Sequence, residues 1–378
     1  MKTQRPVRWN KLNSWNGDFL HRLIEDLIMA MTNLHSGRSI LVTGAGGWIG
    51  SALSKALVRD KPRKLILLDH AERSLYHIDA ELKVLHRDVA QKSILGDVCD
   101  AKLLDEIFEL DGPEIVYHAA AYKHVPLLEN NPIAAIRNNA LGTNTLVEAA
   151  ERHGVSSLVM ISTDKAVEPS SILGASKRVA ELALMRWDSP GAQMRALRLG
   201  NVLASEGSVV PLFQRQISQG GPVTVTHPDA KRYFVPLEKA LELILLAARL
   251  PGGGGIFAPD LGSPVRIVDL AAQLITELRS TNGAEVPILY TALRPGDKKT
   301  EKMCAEREWL EATTDSRLSR VRTNENCLQQ YDVLIGDLAR GVEERDLASL
   351  LEVLRKLVPE YNPSEELLAL RENPAARI

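Results

Sequence analysis

Cysteine is scarce in this chain: Cys99, Cys304 and Cys327 are the only three, far apart and odd in number. That excludes a disulfide framework and the paired spacing of a structural zinc site, so no metal is expected and a reducing cytoplasm is the natural setting. Long apolar runs are also missing. No stretch reaches the roughly 18 uninterrupted apolar residues that a spanning helix needs, so no membrane span is expected. The apolar segment "FLHRLIEDLIMAMTNL" (19–34) is interrupted by His21, Arg22, Glu25 and Asp26, with no cleavage site after it. Charge of one sign is lacking too: the net charge of −2 gives no bulk affinity for nucleic acid. Repeats and low-complexity tracts are absent. What is present is a chain of 378 residues, 45% hydrophobic, long enough for a sizeable core and two lobes.

In residues 19–34, Phe19, Leu20, Leu23, Ile24, Leu27, Ile28 and Met31 recur at helical spacing behind a capping Asp18. The polar face carries as much acid as base, which favours packing against the protein's own body or a second subunit over membrane attachment. Residues 1–36 therefore read as an amphipathic helical extension. From Ser39 the pattern alternates strand and helix: "SILVTG", "KLILLD", "EIVYHAA", "SLVMIST" and "MRALRLGNV" are β-rich runs separated by stretches such as "SALSKALV" and "TNTLVEAAERHG". Such alternation predicts a parallel sheet covered on both faces over 37–200. Beyond Asn201 the rhythm gives way to Gly and Pro punctuation. Residues 201–378 are expected to form mainly a smaller lobe, with some segments returning to the first.

"TGAGGWIG" places Gly44, Gly47, Trp48, Ile49 and Gly50 between a strand and a helix. Without side chains the backbone turns tightly and approaches a pyrophosphate at the helix N-terminus. Asp69 ends the next strand about 20 residues on, the spacing of an acid that bonds adenosine ribose hydroxyls. It would repel a 2′-phosphate, so NAD is expected over NADP, although His70 and Arg73 stand nearby. Asp97 and Val98 follow the third strand; Asp97 either accepts from an adenine amino group or simply holds a turn. Ala119 is small enough for cofactor to lie against it, and Lys123 sits where side chains project into the crevice of a parallel sheet.

These stretches, with "HAAAYKHVPLLE", "STDKAVEPSSILGASKRVAE", "GNVLASEGSVVPLFQRQISQGGPVTVTHPDAKRYF" and "LRPGDK", resemble an extended short-chain dehydrogenase/reductase. More narrowly they resemble the nucleotide-sugar 4,6-dehydratases that act on UDP-N-acetylglucosamine in bacterial polysaccharide and glycan biosynthesis. The resemblance covers most of residues 38–300. Trp48, Ala52 and the ending "TALRPGDKKTEKM" depart from the pattern. It implies a Rossmann-type doubly wound α/β sheet with a smaller C-terminal substrate-binding lobe, bound NAD, a UDP-sugar substrate and a homo-oligomer in the cytoplasm.

One residue is conspicuous by its absence. Enzymes of this layout usually carry Tyr four positions before the helix Lys, and here Leu173 stands before Lys177. A second version of the family has Met there and is read as working through the Thr-Asp-Lys run. Leu is close to Met in volume and equally unable to titrate. By resemblance, Asp164 is the acid to the C6 hydroxyl, Lys165 the base at C5, Thr163 the partner of O4, and Lys177 the group on the nicotinamide ribose. Asn201, Arg232 and Arg294 match the nucleotide-diphosphate pocket, the two arginines being otherwise plain surface charges. Asn139 matches either an Asn that bridges backbone and water near the Lys or a helix-kink residue. Two further readings stay open: a 4-epimerase, which needs no acid at C6, and a catalytically silent binder of NAD or nucleotide sugar.

Overall fold

The computed structural model describes residues 34–187, 191–205, 207–278, 285–323 and 328–372. Apart from Leu34, the amphipathic segment over 19–34 lies outside them. Six strands run parallel: β1 (Ser39–Thr43), β2 (Lys64–Asp69), β3 (Ala90–Leu95), β4 (Ile115–His118), β5 (Ser157–Thr163) and β6 (Gln193–Leu199). A seventh, β7 (Gly255–Pro259), pairs parallel with β6, and the hairpin of β8 (Glu308–Ala312) and β9 (Leu318–Thr323) closes that side antiparallel. The order across the nine-stranded sheet is β8-β9-β7-β6-β5-β4-β1-β2-β3. This is the doubly wound, Rossmann-type architecture that the sequence predicts.

The strands are nearly continuous apolar runs because both faces are covered. Alternate residues divide between two cores. Leu41, Ile66, Leu68, Val116, Leu158 and Met160 face one; Ile40, Val42, Leu65, Leu67, Ile115, Tyr117 and Val159 face the other. The second face is covered by α1 (Trp48–Leu57) through Leu53 and Leu57, and by α2 (Glu72–Leu85) through Leu75, Ile78 and Leu82. The first is covered by α3 (Ala101–Asp111), α4 (Gly142–Arg152) and α5 (Ile172–Arg186), together with the later helices Tyr331–Glu343 and Leu347–Leu357. Each fully buried Leu or Ile contributes roughly 1.5–3 kcal/mol.

A separate apolar cluster gathers Leu203, Val210, Phe213, Ile217, Val223, Val225, Leu270 and Leu274. The stretch "SVVPLF", which reads as loop punctuation, is in fact the start of a helix, Val209–Ser218. Its Pro211 falls in the first turn, where no intrahelical N–H is needed. The chain leaves the main sheet after β6, builds this cluster, and comes back twice.

From β1 the chain moves outward to β2 and β3, then crosses to β4 on β1's other side. That reversal opens a crevice beyond the carboxyl ends of β1 and β4, the switch point where ligands of such sheets bind.

Candidate active site

At the end of β1 the backbone turns through Gly44, at φ +67°, where a Cβ would sit 2.5 Å from the Ala120 nitrogen. Only glycine lets the turn lie against the loop after β4. A Cβ on Gly50 would run into the Gly44 carbonyl. Gly47 caps α1 with no side-chain hydrogen bond, so the first-turn N–H groups are left for an anion. Asp69, 8% exposed at the end of β2, accepts from the Gly46 N–H at 2.9 Å and the Ala71 N–H at 2.8 Å. It thus fixes the glycine turn, and each oxygen retains a lone pair for a further donor.

Asp97 accepts from the Cys99 N–H at 2.9 Å and lies 3.0 Å from Arg137. Partial burial opposes its ionisation, but Cys99 and Arg137 outweigh that and hold its pKa below the usual carboxylate value. Val98 is buried beside it. The Ala119 N–H donates to Thr43 O at 3.0 Å. Gly44, Asp69, Asp97 and Ala119 thus stand at the carboxyl ends of four adjacent strands, β1, β2, β3 and β4. The glycine cradle, uncapped helix and strand-end carboxylate suit a dinucleotide.

Beneath the crevice, His118 Nδ1 lies 2.6 Å from Thr43 Oγ1 and Nε2 2.8 Å from Thr143 Oγ1. Thr143 donates its proton to Asn139 O, so it accepts from Nε2–H, and Nδ1 accepts from Thr43. Burial, with the nearby charge of Lys177, pushes the imidazole down to about 3; it stays neutral. Asn139 sits in a π-helical turn, Ile136–Leu141. Its Oδ1 accepts from the Tyr122 N–H and its Nδ2 donates to Tyr122 O and Ser176 Oγ. It ties the loop after β4 to α5.

At the end of β5 a tight turn, Asp164–Ala166, carries the acid–base candidates. α5 packs so close that a Cβ on Gly174 would collide with the Lys165 carbonyl. Thr163 Oγ1 donates to Asp164 Oδ1 at 3.0 Å and accepts from the Lys165 N–H at 3.3 Å. Lys165 Nζ donates to Asp164 Oδ1 at 2.9 Å and to Asn201 Oδ1 at 3.1 Å. Asp164 is fully buried, and its Oδ2 has no hydrogen-bond partner. Burial, joined by the nearby carboxylate of Glu301, raises its pKa despite Lys165. The pKa of Lys165 is also raised: burial works against the ammonium, but Asp164 and Glu301 hold its proton.

Lys177 is buried on α5, and desolvation lowers its amine to about 8. Leu173, 5% exposed, belongs to the apolar core under the crevice. Lys123 is exposed on the loop after β4.

The structure gathers Thr163, Asp164, Lys165 and Asn201, and adds Arg232, drawn inward. Arg232 Nη1 donates to Lys231 O at 2.8 Å, and its Nε lies 3.9 Å from Glu301 Oε1. Arg294 stands apart, largely exposed and paired with Asp297 at 2.9 Å. Sequence reasoning misses Glu301 and Lys298. Glu301 is 3% exposed, 3.7 Å from Lys165 Nζ and 3.4 Å from Lys298 Nζ. In "DKKTEKM" these charges look solvated, and the only local hint is a Glu among three Lys next to the "LRPG" motif.

The strand–glycine turn–helix unit, the switch-point crevice and Lys177 on the helix after β5 define an extended short-chain dehydrogenase/reductase. Residues 40–323 match the family model described as "Polysaccharide biosynthesis protein", and the chain belongs to that family. It is 41% identical over 337 residues to the capsular polysaccharide biosynthesis protein CapD of Staphylococcus aureus, a match covering 88% of this chain and 56% of CapD. The chain thus spans little more than half of that relative's length. It is 32% identical to a UDP-glucose 4-epimerase of Rickettsia massiliae, over 73% of this chain and 80% of that protein. Among solved structures, the DesIV double mutant, a dTDP-glucose 4,6-dehydratase from Streptomyces venezuelae with NAD and DAU bound, is 25% identical. Its TM-score is 0.56, over 66% of this chain and 85% of that one. Among the described residues no helix is long and apolar enough to cross a membrane.

Proposed function

We propose that the protein catalyses NAD-dependent 4,6-dehydration of a UDP-N-acetylhexosamine, UDP-N-acetylglucosamine first, to a UDP-4-keto-6-deoxy sugar for polysaccharide or glycan synthesis. The observation that carries the reading is the Thr163–Asp164–Lys165 turn: a buried carboxyl and an amine 2.9 Å apart at the carboxyl end of β5, with a non-titrating Leu173 before Lys177. NAD, rather than NADP, would take hydride from C4 and return it to C6. The fit rests on the cradle of Gly44, Gly47, Trp48, Ile49 and Gly50, with Asp69 toward the ribose, Asp97 and Val98 toward the adenine, and Ala119 and Lys177 toward the nicotinamide end.

Dehydration needs an acid at the departing C6 hydroxyl, a base at C5 and a partner for O4–H. Asp164 suits the first because burial favours its protonated form. Thr163 would turn its hydroxyl from Asp164 to O4. Lys165 would take the C5 proton. Its own proton, held in the free site by Asp164 and Glu301, would pass along the 2.9 Å hydrogen bond to Asp164 Oδ1, leaving a neutral amine as base beside a protonated carboxyl as acid. Lys177 would keep the field positive near the ribose hydroxyls. Lys123, Asn201, Arg232 and Arg294 would bind substrate; Arg offers a planar fork to phosphate oxygens. The reading includes a cytoplasmic homo-oligomer.

The relative named as a 4-epimerase supports a second reading, in which hydride returns to C4. Incubation with UDP-N-acetylglucosamine and NAD, followed by proton NMR, separates them. A new C6 methyl doublet is the expected result. A galacto-configured product would replace the dehydratase with an epimerase, and an unchanged but bound sugar would leave a silent binder.

A further inference from the structure

Glu301 reaches the acid–base pair from a part of the chain far from it in sequence. Its carboxylate is 3% exposed and faces three cations: Lys165 at 3.7 Å, Arg232 at 3.9 Å and Lys298 at 3.4 Å. Lys298 is itself anchored, donating to Val167 O at 2.6 Å just past the catalytic turn. The charged groups that face one another here are therefore Asp164 and Lys165 on the turn after β5, Arg232 on its short strand, and Lys298 and Glu301 on the returning loop. They amount to three cations against two carboxylates, each of which keeps one oxygen, Asp164 Oδ2 and Glu301 Oε2, without a hydrogen-bond partner.

We propose that Glu301 is a positioning residue for this pair: its carboxylate, held by Lys298 and Arg232, fixes the Lys165 amine between Asp164 and Asn201 and keeps a proton on the Asp164–Lys165 couple. The inference rests on the dehydratase reading for what that proton is used for. The electrostatics stand without it. A buried anion beside two coupled groups favours the protonated state of both, whichever atom carries the proton. Arg232 ties the device to substrate: a diphosphate that drew Arg232 away would leave Glu301 a stronger anion beside Lys165.

The sign is fixed. Removing the anion must move the titration of the couple to lower pH; removing a neighbouring cation must move it to higher pH. A merely structural Glu301 would lower stability or turnover with no such opposed movement. The test is carbon-13 NMR of lysine-labelled protein, with the Lys165 signal assigned by its loss in Lys165→Arg. The Lys165 midpoint should fall in Glu301→Gln and rise in Lys298→Met, relative to the unaltered chain. The pH–turnover profile should move the same way, both limbs to lower pH in Glu301→Gln and both to higher pH in Lys298→Met. Should Glu301→Gln fail to fold, Glu301→Asp, which keeps the anion but withdraws it from Lys165, decides by a smaller downward movement. Unmoved midpoints would overturn the proposal. Because the midpoint is read without substrate, a chain that makes no C6 methyl product sinks the dehydratase reading and leaves this one to be judged separately.

Discussion

Two buried charge clusters flank the end of β5 and differ in one respect. One is built on Glu181 of α5. Its Oε1 accepts from Ser162 Oγ at 2.7 Å and Arg198 Nε at 3.0 Å, and its Oε2 from Arg178 at 3.0 Å and Arg198 at 2.9 Å. Arg198 also donates to Glu308 at 2.6 Å and 2.9 Å and to Met303 O. This cluster binds α5 and β6 to the returning segment around β8, and both carboxylate oxygens of Glu181 are doubly satisfied. The other, around Asp164, Lys165 and Glu301, leaves Asp164 Oδ2 without a partner. Ser162 and Thr163 are neighbours on β5, and alternation along the strand sends one into each cluster. A completed network holds the fold, whereas an incomplete one holds a place for a ligand and stores proton chemistry.

The largest effect that tests this difference is in stability. Glu181→Gln leaves Arg178 and Arg198 under-compensated in a fully buried site and should lower unfolding free energy by roughly 3–5 kcal/mol, read by denaturant titration. Asp164→Asn should change it by no more than about 1 kcal/mol, because burial already works against the Asp164 charge and the amide oxygen still accepts from Lys165 and Thr163. A loss for Asp164→Asn as large as that for Glu181→Gln would erase the distinction.

Their pH dependences should oppose each other. Burial works against Glu181's charge, but Arg198, Arg178 and Ser162 hold its pKa at about 2, against an ordinary value of 4.5. Its contribution is therefore present above pH 4.5 and lost as pH falls toward about 2. Asp164's pKa is raised above its ordinary 3.8, so its contribution is full below that value and is lost as pH rises through the folded one. Acid unfolding of Glu181→Gln should accordingly be flatter than that of the unaltered chain below pH 4.5, and that of Asp164→Asn should not.

In activity the ranking inverts. Asp164→Asn should lower turnover on the order of 10²-fold, the usual worth of a positioned acid or base. Substrate binding should change much less, since Asp164 is not assigned to the nucleotide. Smaller still is the cofactor preference: titration with NAD and NADP should favour NAD, and tighter NADP binding would remove the ribose role of Asp69. The smallest effect belongs to Leu173→Met, a swap of similar volume in an apolar wall, which should leave turnover nearly unchanged.

The parts of this site that the sequence announces are those whose cause is local. Gly44 and Gly50 declare a turn because each occupies a place where a Cβ would strike backbone, and Gly47 because a Cβ there would crowd the Gly44 carbonyl. β1 and β2 declare themselves because burial on both faces demands unbroken apolar runs. The clusters are less legible because their partners are brought together by tertiary return. Glu301 and Lys298 sit in a five-charge stretch of seven residues that looks solvated, and nothing nearby says it will be buried against β5. Arg232 reads as a surface or phosphate-binding charge, yet Glu301 draws it inward. The helix over 209–218 is hidden by a proline whose position in the first turn is harmless. Asp69 reads as an acid for the ribose; what the structure shows it doing is tying the glycine turn through the Gly46 N–H.

The central claim, that proton transfer at the sugar has moved from the absent tyrosine to the turn after β5, is tested most directly by Lys165→Ala with UDP-N-acetylglucosamine and NAD in deuterated water. The account predicts that C4 oxidation persists, seen as accumulating NADH absorbance, while exchange at C5 is lost and turnover falls on the order of 10²-fold or more. Full C5 exchange with normal turnover in that variant would contradict it and send the search to another base.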